Sequence, residues 1–263
     1  MTDAFFRRDG ERYLPQVHTR GPWDPDFQHG GPPSALLATA AMGHPAVPEG
    51  ARLARITVDF LRAVPLAPLT VTVEVEKVGR TAQRLVATLH GDRPVLRAQT
   101  LFLRGTPGPQ AAPSPDVWPP AAACAPFVFP FFRWAEGYHQ AVELRPLPSE
   151  AWGGPTLRLW ARPRVALIAG EADRPEARAI VLADAESGMA PPMDPNRWSY
   201  ANPDLTVVFA RRPVGDWLGF EARSFAGDAG AGLSEASLRD AEGPFARSVQ
   251  SLVVTPRAPA DGA

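Results

Sequence analysis

The feature that most constrains this chain is that it repeats itself. Ile56-Thr57-Val58-x-Phe60-x-Arg62 recurs as Leu205-Thr206-Val207-x-Phe209-x-Arg211 at a constant offset of 149 (206 minus 57), and "AQTLFL", which carries Gln99, recurs as "VQSLVV", which carries Gln250, at 151 (250 minus 99). A drift of two over that span implies only small loop differences. Solenoid repeats have periods of about 20 to 50 residues, so a period this long implies a duplicated domain. Each half must therefore encode the same unit.

The order of elements agrees. In the first half the small apolar stretch "FQHGGPPSALLATAAM" (27–42) reads as a helix and is followed by four β-branched, alternating segments at 54–62, 69–78, 83–90 and 94–104. In the second half a strand at 156–165 and a helix at 175–188 precede strands at 204–213, 217–225, 233–240 and 244–254. Between them "TPGPQAAPSPDVWPPAAACAP" (106–126) holds too much proline for a helix or a central strand. The expected organisation is a first unit at 1–105, a proline-rich and aromatic linker at 106–150, a second unit at 151–257 and a disordered tail at 258–263. This is an α+β chain in which each apolar helix lies on the concave face of a curved antiparallel sheet.

Composition removes several function classes. Lys+Arg 27 against Asp+Glu 28 leaves a net charge of -1, so no overall field attracts nucleic acid or anionic lipid, and neither partner is expected. No apolar run approaches the roughly 20 residues of a membrane span, and the amino terminus is charged where a signal peptide needs an apolar core, so a cytoplasmic location is expected. Cys124, the single cysteine, has no neighbouring base to activate it and no partner for a disulfide. His18, His29, His44, His90 and His139 show no HxH or HxxxH spacing, so no metal is expected, nor any other cofactor. "GDAGAGLS" (227–234) is no phosphate loop and reads as a hairpin turn, and "GLSEA" lacks the closing glycine of a nucleophile elbow.

The least expected residue is Asp184, in the otherwise apolar run "ARAIVLADA". A buried carboxylate without partners is so costly that it must find donors or take up a proton. Together with the duplication, "HGGPPSALLATA" in the first helix, "IVLAD" in the second, "LTVVFAR" after it and the closing strand "ARSVQSLVV" resemble the double-hotdog acyl-CoA thioesterases of the thioesterase II type. The resemblance covers nearly everything but the proline-rich middle. It implies a double hotdog, one continuous curved sheet around two central helices, and hydrolysis of an acyl-CoA or acyl carrier thioester. It also implies a triad of aspartate, hydroxyl residue and glutamine that orients the water. Carried onto this chain, the triad falls on Asp184, Thr206 and Gln250. Such chemistry asks for a held, partly deprotonated water more than for a strong nucleophile, because a thioester carbonyl is already electrophilic.

The halves differ in one respect. Counting back as Asp184 stands to Thr206 leads to Ala35, and no acid occurs from Ser34 to Gly43, so one complete site is expected, on the second helix. The first helix is expected to offer backbone donors at its start to the thioester oxygen, through Gly31 and Ser34, with His29 flanking. Arg211 and Arg212 are candidates for coenzyme phosphates, and the aromatic run "FVFPFFRWAEGYH" (127–139) either walls an acyl pocket or forms an interface in a homo-oligomer. Two rival readings remain. One is a non-catalytic acyl-binding module; the other is a hotdog enoyl-CoA hydratase, which wants an aspartate and a histidine on one helix, a pair neither helix carries.

Overall fold

The computed structural model describes residues 3–106, 108 and 117–257. The first half contributes β1 (Ala4–Asp9), β2 (Arg12–Pro15), α1 (Gly31–Met42), β3 (Arg52–Phe60), β4 (Leu69–Val78), β5 (Ala82–His90) and β6 (Pro94–Leu103). A middle segment forms α2 (Tyr138–Ala141) and β7 (Val142–Pro146). Then follow β8 (Thr156–Pro163), β9 (Ala166–Ile168), α3 (Pro175–Ala183), α4 (Glu186–Met189), β10 (Trp198–Ala201), β11 (Asp204–Phe209), β12 (Leu218–Ala226), β13 (Ala231–Asp240) and β14 (Gly243–Pro256).

Among the described residues all fourteen strands belong to one sheet, in the order β7-β8-β12-β13-β14-β11-β3-β6-β5-β4-β2-β1-β9, with β10 paired to β14. Read outward from the centre, β11, β14, β13, β12, β8 mirror β3, β6, β5, β4, β2. The repeated motifs meet at that centre: Thr206 pairs with Thr57, Leu205 with Val58 and Val207 with Ile56, so the duplicated strands lie antiparallel across a local two-fold. Alternation sets the buried face. Leu205, Val207, Ile56 and Val58 are buried against the helices, while Thr57 and Thr206 take the other face, where Thr206 Oγ1 donates to Thr57 Oγ1 at 3.1 Å.

α1 has no polar face to give to water: Ala35, Leu36, Leu37, Ala38 and Ala41 are fully buried. Burying a leucine side chain contributes about 2 kcal/mol, and the small residues between let α3 and the sheet come close. α1 and α3 run antiparallel, Gly31 lying against Val181 near the end of α3 and Gly43 near Arg174 at its start.

Three features differ from the sequence reading. Residues 138–146 of the stretch read as linker form α2 and β7, because the proline density falls after residue 130 and Val142 and Leu144 have a core face to fill. The helix read at 175–188 is two helices, broken at Asp184 and Ala185. β1, β2, β7, β9 and β10 went unpredicted; at three to six residues each they are too short for a clear alternation, and β9 extends the first half's edge through a parallel pair with β1. The tail at 258–263 lies outside the described residues. Among the described residues no helix is long and apolar enough to cross a membrane.

Candidate active site

A cavity of about 420 Å³ opens where α1 begins and α3 ends. Trp23, Phe27, Phe60, Phe129, Phe131 and Tyr200 make its walls, so the aromatic run read from the sequence serves a cavity. Its polar lining includes His29, Asp184 and Asn202, which meet at the Asp184 carboxylate.

Asp184 caps α3 at its C-terminus. The last carbonyls of a helix need donors from outside it. Gln250 supplies one from β14, its Nε2 donating to the carbonyls of Ala183 at 3.3 Å and Asp184 at 3.1 Å. Gln250 thus lies on the helix-facing side of its strand, with Ser248 and Leu252, and fixes the backbone that carries Asp184. The Asp184 side chain is 3% exposed and has found its donors: Asn202 Nδ2 reaches Oδ1 at 2.8 Å, and His29 Nδ1 stands 3.0 Å from Oδ2.

His29 is held from several sides. Its amide donates to the Thr19 carbonyl at 2.7 Å, and its ring stacks on Tyr138 with centroids 3.7 Å apart and planes 4° from parallel. Tyr138 is fully buried and its hydroxyl donates to the Val181 carbonyl at 2.8 Å. Burial, with the Asp184 charge adding to it, pushes that phenol well above its usual range, so it stays neutral. Two groups compete for Nδ1: Asp184 and the Gly31 amide, which lies 3.2 Å away. One nitrogen cannot donate and accept through the same position. In the tautomer that donates from Nδ1 to Asp184, the shorter of the two contacts, Nε2 keeps the free lone pair and the Gly31 N–H is left for another acceptor.

The two glycines are required by contact. A Cβ on Gly31 would stand 2.2 Å from the Val181 carbonyl oxygen, and one on Gly30 would stand 2.4 Å from the Phe60 ring and 2.9 Å from Asp184 Oδ1. Beside the site, Glu186 is wholly buried and shares a hydrogen bond with Ser248. Burial above all, with Asp184, Glu235 and Asp204 adding to it against the Ser248 bond, pushes its carboxyl up to about 8.

The residues picked from sequence are only partly brought together. Asp184, His29 and Gln250 converge at the end of α3. Thr206 does not join them: it faces away from the helices, and Asn202, two residues before β11, bonds Asp184 instead. The alternation of Leu205, Thr206 and Val207 carried that information, since a strand cannot present Thr206 on the face of its apolar neighbours. Ser34 has no donor to spare, because its amide (3.1 Å) and hydroxyl (2.7 Å) both bond the Gly30 carbonyl. Pro32 and Pro33 have no N–H, so Gly30 and Gly31 carry the donors at this helix start. Arg211 lies away from this cavity, doubly bonded to Asp240. His29 was noticed for its turn, but its bond to a residue 155 positions on (184 minus 29) leaves no local trace.

Comparisons with known proteins identify the family. Residues 19–103 match the model of the acyl-CoA thioesterase N-terminal domain and residues 110–254 that of the acyl-CoA thioesterase C-terminal domain. Among solved structures, a conserved protein of unknown function with a hot dog fold from Alicyclobacillus acidocaldarius is 22% identical, covering 97% of this chain and 96% of its own, with a TM-score of 0.70. The tesB protein of Mycobacterium avium subs paratuberculosis is 18% identical over 95% and 96%, TM-score 0.69. The acyl-CoA thioesterase II TesB2 of Mycobacterium marinum is 15% identical over 94% and 98%, TM-score 0.65. No curated protein matches the chain by sequence. With family models matching both halves, the chain belongs to the acyl-CoA thioesterase family and is a thioester hydrolase.

Proposed function

We propose that the chain is a double hotdog that hydrolyses acyl-CoA thioesters in the aromatic cavity, with His29 as proton acceptor, Asp184 as its orienting carboxylate and Asn202 and Gln250 as positioning residues. The observation that carries this reading is the 3.0 Å contact between His29 Nδ1 and Asp184 Oδ2 at the cavity wall. Both Asp184 oxygens are engaged, Oδ1 by Asn202 and Oδ2 by His29, which favours the free Nε2 over the carboxylate as the group that meets water.

The acyl group lies among the aromatic walls with its carbonyl carbon near Nε2. A water gives its proton to Nε2 as its oxygen bonds to that carbon, and Asp184 stabilises the imidazolium that forms. The carbonyl electrons move onto oxygen, where the Gly30 and Gly31 amides at the positive end of α1 donate to the oxyanion. As the carbon–oxygen double bond re-forms, the C–S bond breaks and the thiolate takes the proton from His29, releasing acid and thiol.

The test is thiol release from a panel of acyl-CoAs graded in chain length and including aryl acyl groups. Turnover by the wild type, abolished or nearly so in His29→Gln, supports the reading. Wild-type turnover in that variant removes His29 from the chemistry, and saturable acyl-CoA binding without turnover by the wild type favours an acyl-binding module. The same His–Asp contact supports a second reading, in which the activated water adds across an enoyl-CoA double bond. Hydration of crotonyl-CoA without release of thiol would favour it.

A further inference from the structure

A second cavity, of about 480 Å³, lies at the opposite end of the helix pair, where α3 begins and α1 ends. The 12 residues of α1 separate the two by roughly 18 Å at 1.5 Å per residue. It is the duplicated counterpart of the first. Residues 199–202 line one cavity and 50–53 the other, and Arg62 and Ala63 in the first correspond to Arg211 and Arg212 in the second, all at an offset of 149.

The chemistry has changed between the counterparts. At the helix C-cap Asp184 becomes Gly43, Asn202 becomes Leu53, and the hydrolytic constellation is gone. Arginine has replaced small residues: Arg52 stands where the first cavity has Ala201, Arg174 where it has Gly30 at the helix N-cap, and Arg212 where it has Ala63. Two of the guanidiniums lining it are neutralised, Arg211 by two bonds of 2.6 Å to the fully buried Asp240 and Arg212 by Glu176 at 3.2 Å. Arg52 and Arg174 form no ion pair among the described residues. Arg174 reaches over the end of α1, Nη2 lying 3.9 Å from where a Cβ on Gly43 would stand, at the end of the helix whose dipole favours a cation. Against these four arginines stand three carboxylates, Glu176, Asp240 and the exposed Glu242, an excess of one positive charge. The rest of the lining is apolar: Met42, Val47, Leu53 and Phe102.

We infer that this second cavity binds a small amphipathic carboxylate, its head between Arg52 and Arg174 and its apolar body against Leu53 and Phe102. A planar guanidinium fork suits a carboxylate, and an inorganic anion would leave the apolar half of the lining uncovered. The inference does not need the proposed hydrolysis, although the acid that hydrolysis releases belongs to the same class.

Calorimetric titration of the intact protein with octanoate, phenylacetate and inorganic phosphate tests it without any turnover. Octanoate or phenylacetate is expected to bind saturably, more tightly than phosphate. The double variant Arg52→Gln/Arg174→Gln should weaken that binding at least tenfold while thioester turnover is unchanged. Leu53→Asn, which restores the polar residue of the first cavity, should weaken it independently. Unchanged carboxylate binding in both variants, or phosphate bound as tightly as the carboxylates, would overturn the inference. A series of acids separates the sources: affinities that follow the acyl preference of hydrolysis identify the product, and a different order identifies another acid.

Discussion

The two ends of the helix pair began as copies, and what separates them is a handful of side chains on nearly the same backbone. At one end a helix C-cap carries Asp184, met by Asn202 and by His29 from the loop before α1; at the other the C-cap is Gly43, Asn202 is replaced by Leu53, and arginines occupy positions held by Ala201, Gly30 and Ala63. Duplication inside one chain lets the proposed hydrolytic site and its counterpart diverge while the shared sheet and helix pair are kept.

That comparison is sharpened most by removing the histidine. His29→Gln should lower the thiol-release rate on the order of 10³-fold, within the range that a positioned acid–base group supplies, with KM little changed. The same substitution at His44, beside the second cavity's Gly43, should leave the rate unchanged. If both variants behave alike, the ends do not differ as described.

Glu186 is the next lever. Its folded carboxyl holds a proton up to about 8, while the unfolded chain releases it near 4.5. Between those values the unfolded state binds fewer protons, so this group removes stability as pH rises, at no more than about 1.4 kcal/mol per pH unit. Glu186→Gln should therefore gain melting temperature relative to the wild type at pH 8 and little or none at pH 4.5. A difference independent of pH would refute the assignment.

Gly31→Ala should lose stability, by about 1–3 kcal/mol if the helices shift to relieve the contact, because its Cβ meets the Val181 carbonyl at 2.2 Å. Denaturant unfolding measures this, and the same change at Gly43, where the nearest atom is 3.5 Å away, should cost less. Smallest are Asn202→Ala, expected to lower kcat roughly tenfold by loosening Asp184, and Thr206→Val, expected to leave it unchanged because that hydroxyl bonds Thr57 on the far face. A large loss in Thr206→Val with none in Asn202→Ala would reverse the assignment.

Much of the fold was legible because the duplication preserved strand patterns long enough to align, and the motif pair around Thr57 and Thr206 does sit at the centre of the sheet. The second motif pair misled by one residue. Thr57 pairs with Gln99 whereas Thr206 pairs with Val249, so Gln250 corresponds to the buried Thr100 and Gln99 to the exposed Val249. A slip of one turns every side chain to the other face, and identity of residue type cannot detect it. The match of Asp184 to Ala35 was displaced for a similar reason: the broken second helix puts Asp184 at a C-cap, whose counterpart is Gly43. Asp184 itself stood out because an acid in an apolar run needs an explanation. Its partners did not, because His29 and Asn202 reach it only through the packing of α1 on α3 and the turn before β11.

The central claim is that one end of the helix pair hydrolyses thioesters through the Asp184–His29 contact. Initial rates of thiol release from acyl-CoA by the wild type and by Asp184→Asn, with folding checked by melting temperature, address it most directly. The account predicts a folded variant whose rate falls at least a hundredfold. A folded Asp184→Asn protein that turns over acyl-CoA at the wild-type rate would contradict it.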